Sequence, residues 1–318
     1  MHVHFWGTRG SIPASLDADH VREKIRQTLE IAARKGLSAE DDIDAFIDNE
    51  LPFHARGTYG TNTPCVEIRD GNDIILCDAG TGLRDFGNSF LKTHDGASPT
   101  EFHILISHLH WDHIQGFPFF TPAFMEGNQI TIYGCHKDMQ KAFAVQQGSP
   151  FFPICFDKLG AEIRFVELVP GTTYEINGFT VSAIEQNHPG VSCGYRVEKG
   201  KKVTVYSTDS EHKSENEEDS HHFVEFFRRA DLLIFDAQYS LADASTVKKD
   251  WGHSINFIGV ELAQQAGVKH LCLFHNEPTS TDEKLDKFLL DTQRLASLLN
   301  EDTTLQISIA RDGLVIAV

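Results

Sequence analysis

The run Ser107-His108-Leu109-His110-Trp111-Asp112-His113 places three imidazoles and a carboxylate within six residues. Neutral imidazole nitrogens and carboxylate oxygens are the donors that a borderline dication such as zinc takes. Core packing has no use for four ion-binding side chains at that density. The chain holds 17 histidines in 318 residues, so a lone histidine says little. The competing reading of the run is a solvated polar loop, and its spacing argues against that. The apolar residues Phe102-His103-Ile104-Leu105-Ile106 lead into it and read as a buried strand. The cluster therefore stands at the C-terminal end of a strand, where open α/β sheets gather their chemistry.

One run supplies too few donors for two cations, so further donors are expected at other strand ends. His188 follows the apolar stretch Phe179 to Ile184, Asp209 follows Val203 to Tyr206, and His275 follows Leu271 to Phe274. Alone, each would read as an ordinary loop residue. With the opening run they read as parts of one site.

At this point the chain resembles the metallo-β-lactamase superfamily across nearly its whole length. The likeness rests on Asp78 in Asp78-Ala79-Gly80-Thr81-Gly82, the H-x-H-x-D-H run at 108 to 113, His188, Asp209 and His275, in the family's order. It implies a four-layer αββα sandwich with a two-metal site along one edge. It also implies that His108, His110 and His188 hold one metal, that Asp112, His113 and His275 hold the other, and that Asp209 bridges them. Asp78 would be the carboxylate that orients the ligand loops. Relatives that are true β-lactamases commonly carry Cys where Asp209 stands, and flavo-diiron relatives carry Glu where His110 stands. The resemblance thus implies two zinc ions and hydrolysis, with manganese or iron as alternative occupants.

Two dications that share a water lower its pKa from 15.7 towards ~7 and neutralise charge on a phosphoryl or carbonyl oxygen. A departing alkoxide still needs a proton. Gly252-His253-Ser254 opens a predicted helix and lies 22 residues before His275. Ser254 suits an N-cap, and a helix start attracts phosphate. His253 could donate to that phosphate or to the leaving group; capping the helix or packing on Trp251 is the bland alternative. The phosphodiesterase branch of the superfamily, which includes tRNase Z, is similar here: it has Gly-His-Ser/Thr before the last ligand and an upstream acid that pairs with the histidine. Asp236, in Leu232-Leu233-Ile234-Phe235-Asp236, stands where that acid would be. The candidate catalytic residues are then His253, Asp236 and Asp112, the last also a metal ligand.

These residues need strands and helices to position them. Short apolar strands are read at Val3 to Trp6, Cys65 to Ile68, Ile74 to Cys77, Gln129 to Tyr133, Ile163 to Val166, Tyr195 to Val197 and Leu305 to Ile309, besides those above. Gly71-Asn72 and Asn177-Gly178 read as hairpin turns. Helices are predicted over 20–35, 40–50, 136–147, 220–229, 254–266 and 281–299. The reading is one domain over 1–318, with a helical insertion at about 14–57 that is a solvated cap or, alternatively, a lid or homodimer contact. Residues 210–222 read as a charged loop, with His221 and His222 in solvent.

The net charge is -18, which argues against general affinity for nucleic acid. No long Gly/Pro-rich basic arm of the kind tRNase Z uses is present. No signal peptide or membrane span is read. The six scattered cysteines fit free thiols in a reducing cytoplasm. The function expected is hydrolysis of a small phosphodiester such as a cyclic nucleotide. The alternatives are a thioester or lactone hydrolase, a tRNA 3′-processing endonuclease, and a non-catalytic metal-binding module. The aromatic runs Phe117-Pro118-Phe119-Phe120 and Phe151-Phe152-Pro153 read as core, or as a wall that stacks a nucleobase.

Overall fold

The computed structural model describes residues 1–93, 99–212, 217–240 and 252–318, with backbone alone for 217–219. Two seven-stranded sheets face each other. The first runs β14 (Val315–Ala317), β1 (His2–Gly7), β2 (Cys65–Asp70), β3 (Asp73–Cys77), β4 (Glu101–Ile106), β5 (Gln129–Gly134), β6 (Glu162–Glu167). The second runs β13 (Gln306–Ile309), β12 (His270–Phe274), β11 (Leu232–Asp236), β10 (Lys202–Ser207), β9 (Ser192–Lys199), β8 (Phe179–Gln186), β7 (Thr173–Ile176).

Each sheet is antiparallel at one end and parallel at the other. In the first, pairing is antiparallel from β14 to β3 and parallel from β3 to β6. In the second, it is antiparallel from β7 to β10 and parallel from β10 to β13. Parallel neighbours need crossovers, so the loops after β3, β4, β10, β11 and β12 leave from the same ends of their strands. The tight hairpins fall where expected. Asp70 pairs with Asp73 around Gly71, whose φ is 63°. Ile176 pairs with Phe179 around Asn177 and Gly178, both at positive φ, as a two-residue type I′ turn requires.

Alternating side chains from both sheets make the central core. Val3, Phe5, Val66 and Ile68 from one meet Phe179, Val181, Tyr195 and Tyr206 from the other. A second core lies under helices α7 (Glu217–Phe227), α8 (Asn256–Ala266) and α9 (Asp282–Leu299). A third lies under α4 (Gly82–Thr93) and α6 (Met139–Gln146). Helix, sheet, sheet and helix give the four-layer sandwich.

The predicted helices shift by a few residues at their caps. Helix α1 (Ala18–Lys35) starts at Asp17, whose side chain accepts from the His20 amide, and stops at Gly36 in the left-handed region. Helix α2 spans Ile43–Glu50 behind its cap Asp42. A short α3 (Phe53–Arg56) follows and packs against α1 and α9. Helix α4 was not legible in the sequence. Its Gly87, Asn88 and Ser89 are weak helix formers. Yet it buries Leu83, Phe86 and Phe90 on one stripe, and a Cβ at Gly87 would stand 2.8 Å from the Phe120 ring. Residues 210–222 are not simply a charged loop: Ser210 and His212 are buried, and α7 begins at Glu217. Trp251, the bland partner for His253, lies outside the described residues. Among the described residues no helix is long and apolar enough to cross a membrane.

Candidate metal centre

The expected donors converge. His108, His110 and His188 form one group, and Asp112, His113, Asp209 and His275 form another, with the donor atoms of each group within 4.8 Å of one another. They come from the ends of β4, β8, β10 and β12, and from α5 (Trp111–Ile114), the single turn that carries Asp112 and His113. Asp209 faces both groups. Its Oδ2 is 3.6 Å from His108 Nε2 and 3.9 Å from His188 Nε2. Its Oδ1 is 3.3 Å from both His113 Nε2 and His275 Nε2. Asp112 Oδ2 lies 3.2 Å from the same two nitrogens.

Hydrogen bonds behind the donors fix which nitrogen is free. His113 Nδ1 lies 2.7 Å from Asp78 Oδ2, so it holds the proton and leaves a lone pair on Nε2. His188 Nδ1 donates to the Gly252 carbonyl at 2.9 Å, which leaves Nε2 free. Asp78 is fully buried and also accepts from the Ser107 amide (2.7 Å), the Ser107 hydroxyl (2.8 Å) and the Tyr206 hydroxyl (2.6 Å).

The arrangement fits dications. Buried lone pairs on His113 Nε2 face carboxylate oxygens that are themselves acceptors, which is repulsive unless a cation or a proton stands between. Among the described residues His108 Nε2 and His113 Nε2 have no hydrogen-bond partner. The titration shifts have the same cause. Burial pushes His113 down, but Asp112, Asp209 and Asp78 together hold it well above its ordinary value. Burial, then the neighbouring His113 charge, drives His108 well below its own. Burial raises Asp112, yet His113 and His275 bring it far below the usual carboxylate range.

His253 lies beside both groups. Its Nδ1 is 2.9 Å from Asp236 Oδ2 and 3.9 Å from Asp209 Oδ2. Its ring stacks on His275 with centroids 4.9 Å apart. Burial lowers its pKa, but Asp236, with Asp209 and Asp112 behind it, lifts the value to about 9. Ser254 does not cap the helix. The cap of α8 is Ile255, without a side-chain bond. The Ser254 hydroxyl instead donates to the Ser210 carbonyl and accepts from the His212 amide, tying the loop after Asp209 to the loop carrying His253.

Sequence reasoning left several participants unplaced. The Ser11 amide donates to Asp112 Oδ2 at 2.7 Å. Gly10 abuts His275, and a Cβ there would meet the ring at 2.5 Å. Arg9 is buried and ties Gly60, Glu277 and Ser280 carbonyls together without reaching the donors. Ser107, which opens the histidine run, and the strand residue Tyr206 join the centre through Asp78. Only the fold shows what the segment Arg9-Gly10-Ser11 touches. Four of the six described non-glycine residues with positive φ are Ser11, Asp78, Asp209 and His275, so backbone strain collects at this site. Of the aromatic runs, Phe117 and Phe120 are core, whereas Phe119 and Phe151 are exposed.

Comparison with known proteins agrees with this architecture. A family model described as "Beta-lactamase superfamily domain" matches residues 74–276. A protein named ribonuclease Z from Listeria innocua is 24% identical over 284 residues, covering 72% of this chain and 87% of the relative. The crystal structure of the metallo-beta-lactamase fold protein YhfI from Bacillus subtilis superposes with a TM-score of 0.62 at 16% identity, covering 99% of each chain. Human tRNase Z, short form, gives a TM-score of 0.59 at 19% identity, covering 100% of this chain and 99% of that one.

Proposed function

The chain belongs to the beta-lactamase superfamily as a metal-dependent hydrolase, and on that premise we propose that it is a two-zinc phosphodiesterase acting on a small phosphate diester such as a cyclic nucleotide. His108, His110 and His188 would hold one ion, Asp112, His113 and His275 the other, and Asp209 would lend one oxygen to each. When bound, such cations supply Lewis acidity that activates water and neutralises phosphoryl charge.

The observation that carries the diesterase reading is the His253–Asp236 pair at the edge of both donor groups. Hydrolysis of a thioester on this donor set has less need of it, because a thiolate leaves without a proton. A diester expels an alkoxide, and an alkoxide needs a proton. Asp236 holds Nδ1 and stabilises the imidazolium, so Nε2 is free to give its proton to the departing oxygen. The side chain of His253 is 9% exposed, enough to meet a substrate while staying dry. Asp209 and Asp236 also fix its ring, which limits the motion needed at the moment of transfer.

The test is turnover of bis(p-nitrophenyl) phosphate and of cyclic nucleotides by protein loaded with zinc, manganese or iron. His253→Ala should keep its metals and lose on the order of a hundredfold or more of diester turnover, the usual range for a general acid. Full turnover in that variant would remove His253 from the reaction. Cleavage of thioesters or lactones with diesters untouched would replace the reading.

A second reading, an RNA substrate, is favoured by the name ribonuclease Z borne by the Listeria relative. It shares the chemistry and differs in what must be gripped. The net charge of -18 supplies little for an RNA backbone, which is why a small diester is preferred here.

A further inference from the structure

Exposed apolar side chains stand on the segments that carry or support the donor groups. Trp111, between His110 and Asp112, is 75% exposed, and Phe151 is 68% exposed. Phe119, Ile12 and Val191 are also exposed. Each belongs to a segment bound to the centre. Ile12 follows Ser11, whose amide holds Asp112. Val191 lies three residues beyond His188, and its carbonyl is pinned by His136 Nε2. Phe119 packs edge-to-face on Phe152 with centroids 5.5 Å apart. The helix leading to Phe151 is tied to α5 through Gln146 and the Ile114 carbonyl. The buried Phe117 ring, packed on Phe143 and Phe156, anchors this part of the rim.

Several exposed apolar side chains on the segments that border one site mark a face able to bind an apolar group. The occupant here must satisfy two conditions. One end must be anionic, to enter a site built for cations. The other must be apolar and flat, to lie against Trp and Phe rings. A nucleobase meets the second condition because every base has a stacking face. The charge of -18 works against a polyanion or an anionic bilayer.

We propose that this collar seats the base of a nucleotide ester whose phosphate enters the metal centre, which takes the phosphodiester reading as its starting point and narrows the substrate to nucleotides. Trp111 and Phe119 would set specificity by stacking and take no part in bond breaking.

Binding of adenosine monophosphate and of ribose 5-phosphate to the metal-loaded protein isolates the base, since both carry the same sugar and phosphate. Adenosine monophosphate should bind at least about tenfold more tightly, in line with the stacking of one base, and should quench tryptophan emission. Trp111→Ala and Phe119→Ala should each bring the ratio close to one. Retained metal and ribose 5-phosphate binding would show that the variants are folded. A ratio near one in the unaltered protein, or one that survives both substitutions, overturns the proposal. So does attachment to phosphatidylcholine vesicles that Trp111→Ala abolishes, which would make the collar a membrane seat. Base-dependent binding without diester turnover would uphold the collar and remove the diesterase reading alone.

Discussion

At the scale of single residues, the centre depends on groups that never touch a cation. Asp78 gathers Ser107, His113 and Tyr206 and so fixes the proton on His113 Nδ1. Asp78→Asn replaces one acceptor oxygen by a donor that faces three other donors. Asparagine tolerates the left-handed backbone found at this position, where φ is 64°, so the effect is on hydrogen bonding and not on the turn. Metal affinity should fall about 10- to 100-fold, as such supporting partners typically contribute. Titration against a chelator measures it, and an unchanged affinity would mean that Asp78 only packs. Gly10→Ala places a methyl where His275 stands. The ion assigned to Asp112, His113 and His275 should be lost first, giving a lower metal stoichiometry in the purified variant. Two ions retained per chain would show that the ring can move aside.

At the scale of elements, the segment between β10 and α7 carries a pH liability. His212 is buried against Phe223 and Phe235, with ring centroids 4.3 and 5.3 Å away, and its Nε2 has no partner among the described residues. Burial lowers its pKa from 6.5 to about 3. The folded state therefore refuses a proton that the unfolded chain accepts. The stability this gives is complete above pH 6.5 and drains away as pH falls towards 3. At pH 5 the loss is about 2 kcal/mol. His212→Phe keeps an aromatic ring in the cage and removes the titration. Melting temperatures of the two proteins should diverge between pH 7.5 and 5, with the variant losing less. Parallel curves would show that His212 is not the acid-sensitive group. Acid removal of metal affects both proteins and cancels in the comparison.

At the scale of the whole molecule, charge discriminates between diester substrates. A protein that grips RNA through many phosphates loses affinity linearly in log salt, with a slope of roughly -0.7 per contact on single strands. With 46 acidic residues against 28 basic ones, this chain should bind a tRNA precursor weakly even at low salt. Fluorescence anisotropy with a labelled precursor between low and physiological salt measures this. Tight binding with a steep slope would favour the RNA reading over the small diester. The sandwich itself has a simple economy: parallel strands send their crossovers to the same ends, and seven donors from distant stretches meet there because the two sheets pack face to face.

The residues that converge were legible in the sequence because metal chemistry restricts residue type so severely. Three histidines and an aspartate in one run, with lone polar residues just after apolar strands, have few other uses. Strands and hairpins were legible for a related reason: alternation and Asn-Gly turns are local. Helix α4 was not, since its Gly87 answers to the Phe120 ring and not to helix propensity. Nor were Ser11, Gly10, Ser107 and Tyr206 as parts of the centre, or Ser254 as a strap in place of a cap. Residue type announces which groups can bind an ion. Which nitrogen is left free, which carboxylate oxygen faces which group, and which aromatic rings stand in water at the rim depend on contacts between segments far apart in the chain, and only packing decides those.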